Sequence, residues 1–431
     1  MQRFKRYGKI SELTAADRTS LFDRSTSSDP EVCGATASII DRVRRQADAA
    51  LIALAAEFDR VRLTSLEVPR AARQEALAQL DPALRRAMQR AAGNIVTVHR
   101  ASLPASVEVS PEPGIRIVRR PDPLRRVGVY APGGRASYPS SVLMGAIPAR
   151  VAGVEEVILC SPPGATGLPS GVVLAAAEIA GVDQVFSIGG AGAIAAMAFG
   201  TQTIARVDRI VGPGNSYVAE AKRQVAGVTG IDAPAGPSEL LVIANGSASA
   251  RVVALEVLAQ AEHDPKATVV IVTIGEEPAA KIAGAIAELL PAQPRAGIIE
   301  LALKERGAIL VAASVAEAIA FANDIAPEHL LLALPDANSS AARCRNAGTI
   351  FLGLTSSVAF GDYMAGANHV LPTGGLARSY SGLSVSDFFR WTTVQSVNAR
   401  AAATLATDTG IFADAESLPA HAAAARQWSP L

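Results

Sequence analysis

At 431 residues, with 40 Lys plus Arg against 40 Asp plus Glu, the chain is neutral overall and carries no global field to hold nucleic acid or an anionic membrane. It is too long for one compact core, so two or three domains are expected. No run approaches the roughly 18 uninterrupted apolar residues of a membrane span. The basic start MQRFKRYGKISEL lacks the apolar core of a secretion signal, and Cys33, Cys160 and Cys344 are too scattered for a disulfide framework or a zinc finger. A reducing cytoplasm is the expected compartment.

Residues 1–28 are polar with little periodicity and read as an arm with a short helix. Asp29-Pro30-Glu31 marks a helix start, with a cap, a proline in the first position and an acid in the first turn. Val32, Ile39, Ile40, Val43, Ala47, Leu51 and Leu54 then recur at helical spacing. Further helical patterns cover 69–80 and 81–103, where His99 reads as a packing histidine at a helix end.

From Gly114 the pattern changes. IRIVRR and RRVGVY read as strands, followed by strands at 156–160, 184–188, 208–211 and 239–243. Helical stretches at 141–152, 169–180, 191–199 and 215–225 lie between them. The alternation resumes with a helix at 249–262, a strand at 268–273 and helices at 278–290 and 296–304. Strands at 308–312, 329–333 and 348–352 complete a second sheet, and the tail after Leu383 is helical in patches. Such alternation with short connections implies parallel sheets faced by helices, an α/β fold.

Three glycine loops follow predicted strands. Gly190-Ala-Gly192-Ala-Ile-Ala195 matches the weak dinucleotide fingerprint G-x-G-x-x-A, or is simply a tight turn packing a helix on a strand. Asp208 then either faces a ribose or starts a strand. Gly212-Pro-Gly-Asn215 and Tyr130-Ala-Pro-Gly-Gly134 are the other two loops. Together they predict a cofactor or substrate cleft.

Titratable groups concentrate between Asn323 and Gly375: Glu328 beside His329, then Asp362 and His369, in a chain with five histidines. They can serve as acids, bases or metal ligands near neutral pH. Gln260 and His263 share a helix face at i and i+3, Asp362 offers a hard oxygen and His421 another imidazole. Such mixed donors suit zinc or a similar divalent ion. A lone His263 is more often a hydrogen-bonded surface or core histidine than a ligand.

RRVGVYAPGG with YPSSVLM, RIVGPGNSYVAEAKRQV, IDAPAGPSELLVIAN, LAQAEHDP, NDIAPEHL, GDYMAGANHVLPTGG, SGLSVSDFFR and AESLPAH together resemble histidinol dehydrogenase. The resemblance runs from about residue 30 to residue 421. It implies the four-electron oxidation of L-histidinol to L-histidine through an aldehyde, with two NAD used in succession and one zinc per site. By this resemblance Gln260, His263, Asp362 and His421 are zinc ligands, and Glu328 and His329 the catalytic acid–base pair. Ser238, His369 and Glu416 join Gln260, His263, His329, Asp362 and His421 around the substrate, and Tyr130 and Asn215 contact NAD. The tail bearing Glu416 and His421 is expected to cross to a partner in a homodimer with shared sites.

The architecture so implied is two incomplete Rossmann-like, parallel-sheet domains with a helical N-terminal arm and a C-terminal dimerisation tail. The expected division is an arm at 1–28, a first α/β domain at 29–128 plus 240–382 with the catalytic and metal residues, a nucleotide-binding domain at 129–239, and a tail at 383–431. Two positions depart from the family pattern: Gly192 stands where a glutamine is usual, and Ala367 where a proline is common. They leave open a paralogue that oxidises another polar alcohol, an amino alcohol or a sulfonated diol. A non-catalytic metal-binding or scaffold protein would have lost Glu328, His329 or a ligand position, and none is lost.

Overall fold

The computed structural model describes residues 3–24, 29–133 and 137–429. One compact unit comprises the chain up to Ala101 together with Arg125–Phe388, and a second comprises Ser102–Leu124 with Phe389 onward. Among the described residues no helix is long and apolar enough to cross a membrane.

The first unit contains two parallel sheets. The larger has six strands in the order Arg6–Lys9, Gly307–Ala312, Thr268–Ile274, Glu239–Ala244, His329–Ala333 and Thr349–Leu352. Its central strand ELLVIA is buried at every position because helices cover both faces. Leu240, Val242 and Ala244 pack with Val253, Val257 and Leu258 of the helix Ala250–Ala261. Leu241 and Ile243 point the other way, toward Ile319, Phe321 and Ile325 of the helix Val315–Ile325. This is the two-residue period of a strand hidden inside an unbroken apolar run.

The smaller sheet has five parallel strands in the order Gln184–Ser187, Glu156–Ser161, Arg126–Tyr130, Arg209–Val211 and Gly230–Ile231. The helix Pro30–Leu54 starts as expected, with Asp29 accepting from the Glu31 amide, although Ala47 (φ 47°) departs from helical geometry inside it. Expected in the domain of the larger sheet, this helix packs on the smaller one instead. Ile40, Val43, Leu51 and Leu54 join a core with Ile158, Phe186, Ile194 and Met197. The apolar stripe finds its partner in the helices Gly190–Phe199 and Ser216–Val225.

Two further differences concern the ends. Residues 6–9, expected within an arm, form the parallel edge strand beside Gly307–Ala312. The second unit is built on an antiparallel sheet of Val107–Val109, Ile115–Pro123 and Phe389–Val397, followed by the helices Ala399–Ala415 and Pro419–Arg426. The strand FRWTTVQSV lies in the tail expected to be helical in patches. Most of its positions are exposed, so it lacks the alternation of buried and open residues that announces a strand.

Parallel strands give each sheet two unlike edges. The loops at Tyr130, Gly189–Gly190 and Gly212–Asn215 follow strand ends and line the carboxyl edge of the smaller sheet. Ser238 and Glu328 precede strand starts and line the amino edge of the larger. The segment 232–238 runs directly from the last strand of one to the central strand of the other.

Candidate active site

The helix Val315–Ile325 ends on Ala326, a buried alanine in the left-handed region (φ 50°). That conformation costs an L-residue about 1–2 kcal/mol and persists only where its surroundings impose it. Pro327 follows, and the chain reverses into the strand opened by His329. Glu328 and His329 are 5% and 3% exposed. Oε2 of Glu328 accepts from the main-chain N–H of Glu239 at 2.7 Å.

The His329 ring is oriented by the same residue. Its Nδ1 lies 3.0 Å from the Glu239 carbonyl oxygen, which can only accept, so Nδ1 carries a proton. Nε2 is therefore the atom that gains and loses a proton. It is buried, makes no hydrogen bond and lies 3.4 Å from Oδ1 of Asp362, within ion-pair range but not aligned to bond. An unsatisfied buried ring nitrogen is uncommon and marks a place made for a ligand. Burial pulls the His329 pKa down, but the carboxylates of Glu328 and Asp362 outweigh it and hold the imidazole well above its ordinary value. Burial is the largest influence on Glu328 and raises its pKa.

Asp362 lies on the short helix Val358–Tyr363. Its main-chain oxygen accepts from His369 Nδ1 at 2.8 Å, which leaves Nε2 as the open nitrogen of that ring as well. Burial raises the Asp362 carboxyl, but His329, His369 and His263 together lower it below the usual range, so it stands as a carboxylate. His263 follows the helix Ala250–Ala261, and burial holds its imidazole below the ordinary value despite Asp362 and Glu262. Gln260 is buried one turn earlier. The segment carrying His369 is pinned by Asn368, whose Nδ2 donates to Met144 O at 2.8 Å and whose Oδ1 accepts from Val370 N at 2.9 Å. Ala367 sits in the loop thus tied.

Among the described residues no group of three or more His, Cys, Asp or Glu side chains could hold a metal ion. What this unit provides is a partial donor set: a neutral imidazole at His263 and a carboxylate at Asp362 in the protonation states that ligate, with Gln260 at the same helix end. The helix presents its C-terminal, partially negative end here, which favours a cation. In residue type and protonation state these groups fit part of a donor set for a divalent ion.

Among the described residues the carboxyl edge of the smaller sheet is lined by glycine loops. Tyr130 is buried, and its hydroxyl accepts from Gly190 N at 3.0 Å, so its phenol, raised to about 12 by burial, ties one glycine loop to another. Gly212 (φ +117°) presses so close to the Tyr130 carbonyl that an added Cβ would lie 2.1 Å from the oxygen. Its N–H donates to Asp232 Oδ2 at 2.7 Å and its carbonyl accepts from Lys222 Nζ at 3.0 Å. Lys222 and Asp232 are themselves a buried ion pair.

Asn215 caps the helix Ser216–Val225, its Oδ1 accepting from Tyr217 N and Val218 N, both at 3.1 Å. Gly192 is buried against the helix Pro30–Leu54, where an added Cβ would lie 3.1 Å from Leu54 Cδ1. Asp208 sits at the opposite, amino edge and accepts from Arg125 N and Arg126 N at 3.0 and 2.9 Å. It is a strand-start acid and does not face the glycine loops.

The model of the histidinol dehydrogenase family matches residues 22–428. The chain belongs to this family. Histidinol dehydrogenase of Halobacterium salinarum is 47% identical over 418 residues, 97% of each chain. That of Methanosarcina barkeri is 43% identical over 421 residues, again 97% of each. The crystal structure of histidinol dehydrogenase from Elizabethkingia anophelis has a TM-score of 0.93 at 34% identity, covering 99% of this chain and 98% of that one. The protein is thus an α/β oxidoreductase of that family.

The structure brings Glu328, His329, Asp362, His369 and His263 together, with Gln260 at the adjoining helix end and Ser238 beside Glu239. Tyr130 and Asn215 belong to the glycine edge. Glu416, at the end of the helix Ala399–Ala415, and His421, on the helix Pro419–Arg426, are exposed residues of the second unit. Glu239 was not singled out in the sequence, because at the head of ELLVI it reads as one more strand-start acid.

Proposed function

We propose that the chain oxidises L-histidinol to L-histidine through L-histidinal, reducing two NAD in succession with one zinc bound per site. The observation that carries this reading is the bare, buried Nε2 of His329 beside Asp362. Family membership supports histidinol as the substrate. Gln260, His263 and Asp362 would hold the zinc, with His421 as the fourth donor. When bound, the ion would supply a coordination point for the imidazole and amino nitrogens of histidinol, and would offset one of the two carboxylates that keep His329 protonated.

His329 Nε2 takes the hydroxyl proton as hydride leaves the alcohol carbon for NAD. Glu328, held above the ordinary carboxylate range by burial, takes a proton from the water that adds to the aldehyde. His329, having released its first proton to solvent, takes a hydroxyl proton from the resulting diol as the second hydride passes to a second NAD. Ser238, His369 and Glu416 complete the substrate pocket, while the glycine edge with Tyr130 and Asn215 receives the nucleotide. The catalytic edge begins at the segment 232–238 that leaves the glycine edge, which suits transfer between substrate and cofactor.

The protein works as a homodimer in which Glu416 and His421 serve the partner's site. The exposed apolar side chains of the second unit, including Trp391, Val394, Ile411, Phe412 and Trp428, support an interface there.

The test is NADH formation by purified protein given histidinol, NAD and zinc. Two NADH per histidinol is the expected yield; none would sink the reading and turn the search to amino alcohols and sulfonated diols. For the shared site, His421→Ala and His329→Ala subunits, each inactive, should regain activity as mixed dimers. Verified mixed dimers without activity would exclude sharing.

A further inference from the structure

The acid–base pair is held from behind by a residue pair that touches neither substrate nor cofactor in the proposed reaction. Arg24 is 5% exposed and Glu239 3%. Nε of Arg24 donates to Glu239 Oε1 at 2.8 Å. Its Nη2 donates to the carbonyl of Ile325 at 2.6 Å and its Nη1 to that of Leu21 at 3.2 Å. Ile325 is the last residue of the helix that delivers the strained turn Ala326-Pro327-Glu328, so the guanidinium satisfies a carbonyl at that helix end.

Glu239 faces the turn from the other side. Its Oε2 accepts from Glu328 N at 3.3 Å and its Oε1 from Gly374 N at 2.8 Å. Its own N–H and carbonyl hold the Glu328 carboxylate and the His329 ring. Glu239 and Glu328 thus each accept the other's amide. One residue fixes both members of the pair and, through Gly374, the loop that follows His369.

We propose that Arg24 and Glu239 are positioning residues for the oxidation, a brace that fixes the direction of His329 Nε2 and of the Glu328 carboxylate. The proposal rests on the assignment of Glu328 and His329 as the acid–base pair. A fixed direction matters because a displacement of about 1 Å at a reacting group can cost on the order of 100-fold in rate. Arg24 cannot be replaced by a simple charge: a planar guanidinium reaches a carboxylate and two carbonyls at once, and an ammonium does not.

The test uses the full-length protein with Arg24→Met, Glu239→Gln and the double variant Arg24→Met/Glu239→Gln. Each single change should lower kcat by about 10- to 100-fold with little change in KM for histidinol. Removing one partner of a buried pair also destabilises, whereas removing both charges does so far less. The double variant should therefore recover most of the thermal midpoint lost in the single variants while kcat stays low. Recovery of kcat along with the midpoint would show that the pair is structural only, and would overturn the proposal.

A second readout does not depend on turnover. The His329 Nδ1–H, sheltered and bonded to the Glu239 carbonyl, should give a slowly exchanging imidazole proton in NMR, and its exchange should accelerate at least about tenfold in all three variants if the carbonyl is set by the brace. Unchanged exchange would refute the brace even in a protein inactive on histidinol, so its failure is distinct from failure of the proposed activity.

Discussion

The two parallel sheets of the first unit share an architecture and carry opposite kinds of edge. The smaller offers the carboxyl ends of its strands, where ligands commonly bind in open α/β sheets, and fills that edge with glycine loops. The larger offers its amino edge, where Glu328 and His329 enter a strand and a helix C-terminus delivers Gln260 and His263. Bare main chain suits a nucleotide, and converging carboxylates and imidazoles suit proton transfer and a cation. Behind each edge lies a buried ion pair bonded to main-chain groups: Lys222–Asp232 to Gly212, and Arg24–Glu239 to Ile325, Glu328 and Gly374. The same device braces two edges, and only the side chains in front differ.

The division of labour breaks most sharply at His329. His329→Ala should lower kcat on histidinol by about 100- to 10,000-fold. Zinc content and the affinity for NAD should stay near those of the unchanged protein, since neither is assigned to that ring alone. Metal analysis and nucleotide titration on the purified variant check both. A parallel loss of NAD affinity would mean that the two edges do not separate chemistry from cofactor binding.

The braces come next. Lys222→Met leaves Asp232 buried without its cation and should cost about 3–5 kcal/mol in denaturant unfolding. Adding Asp232→Asn should return much of it. If Lys222→Met alone proves neutral, the pair does not support Gly212, and the likeness between the two braces is superficial.

The strand–helix alternation was legible because buried parallel strands are continuous apolar runs, and most predicted elements lie within a few residues of those observed. The cluster of Glu328, His329, Asp362 and His369 was legible because titratable groups on turns stand out against an apolar chain. The edge each group occupies was not, since this depends on strand order and the direction of return helices. Arg24 lies in a polar stretch without periodicity, and only the fold reveals that it is buried beside Glu239. Strand 6–9 (RYGK) has no alternation to read, and Phe389–Val397 is too exposed to show one. Tyr130 was expected to contact NAD through the resemblance. Its loop is at the glycine edge, but its hydroxyl is turned inward onto Gly190, an orientation that only packing decides.

That inward hydroxyl can be tested alone. Tyr130→Phe leaves the part-buried Gly190 N–H without its acceptor, a loss of about 1 kcal/mol in stability. The effect on NAD binding should be no more than a few-fold, arising through the loosened loop. A large loss of NAD affinity with unchanged stability would instead identify the hydroxyl as a direct contact that swings outward.

The finest distinction lies at Asn215, where one side chain has two expected duties. Its Oδ1 caps the helix Ser216–Val225, and Asn215→Ala should cost about 1 kcal/mol of stability for that reason alone. Asn215→Asp keeps a capping oxygen and places a negative charge at a helix N-terminus, so stability should be unchanged or slightly higher. The aspartate has no amide donors, however, and would repel an anionic cofactor. If Asn215 meets NAD, the aspartate variant should bind it at least about tenfold more weakly, as a single lost or reversed polar contact does. Isothermal titration with NAD, set beside thermal unfolding of the same samples, separates the duties. Equal affinity in all three proteins would reduce Asn215 to a helix cap and leave recognition at this edge to its main chain.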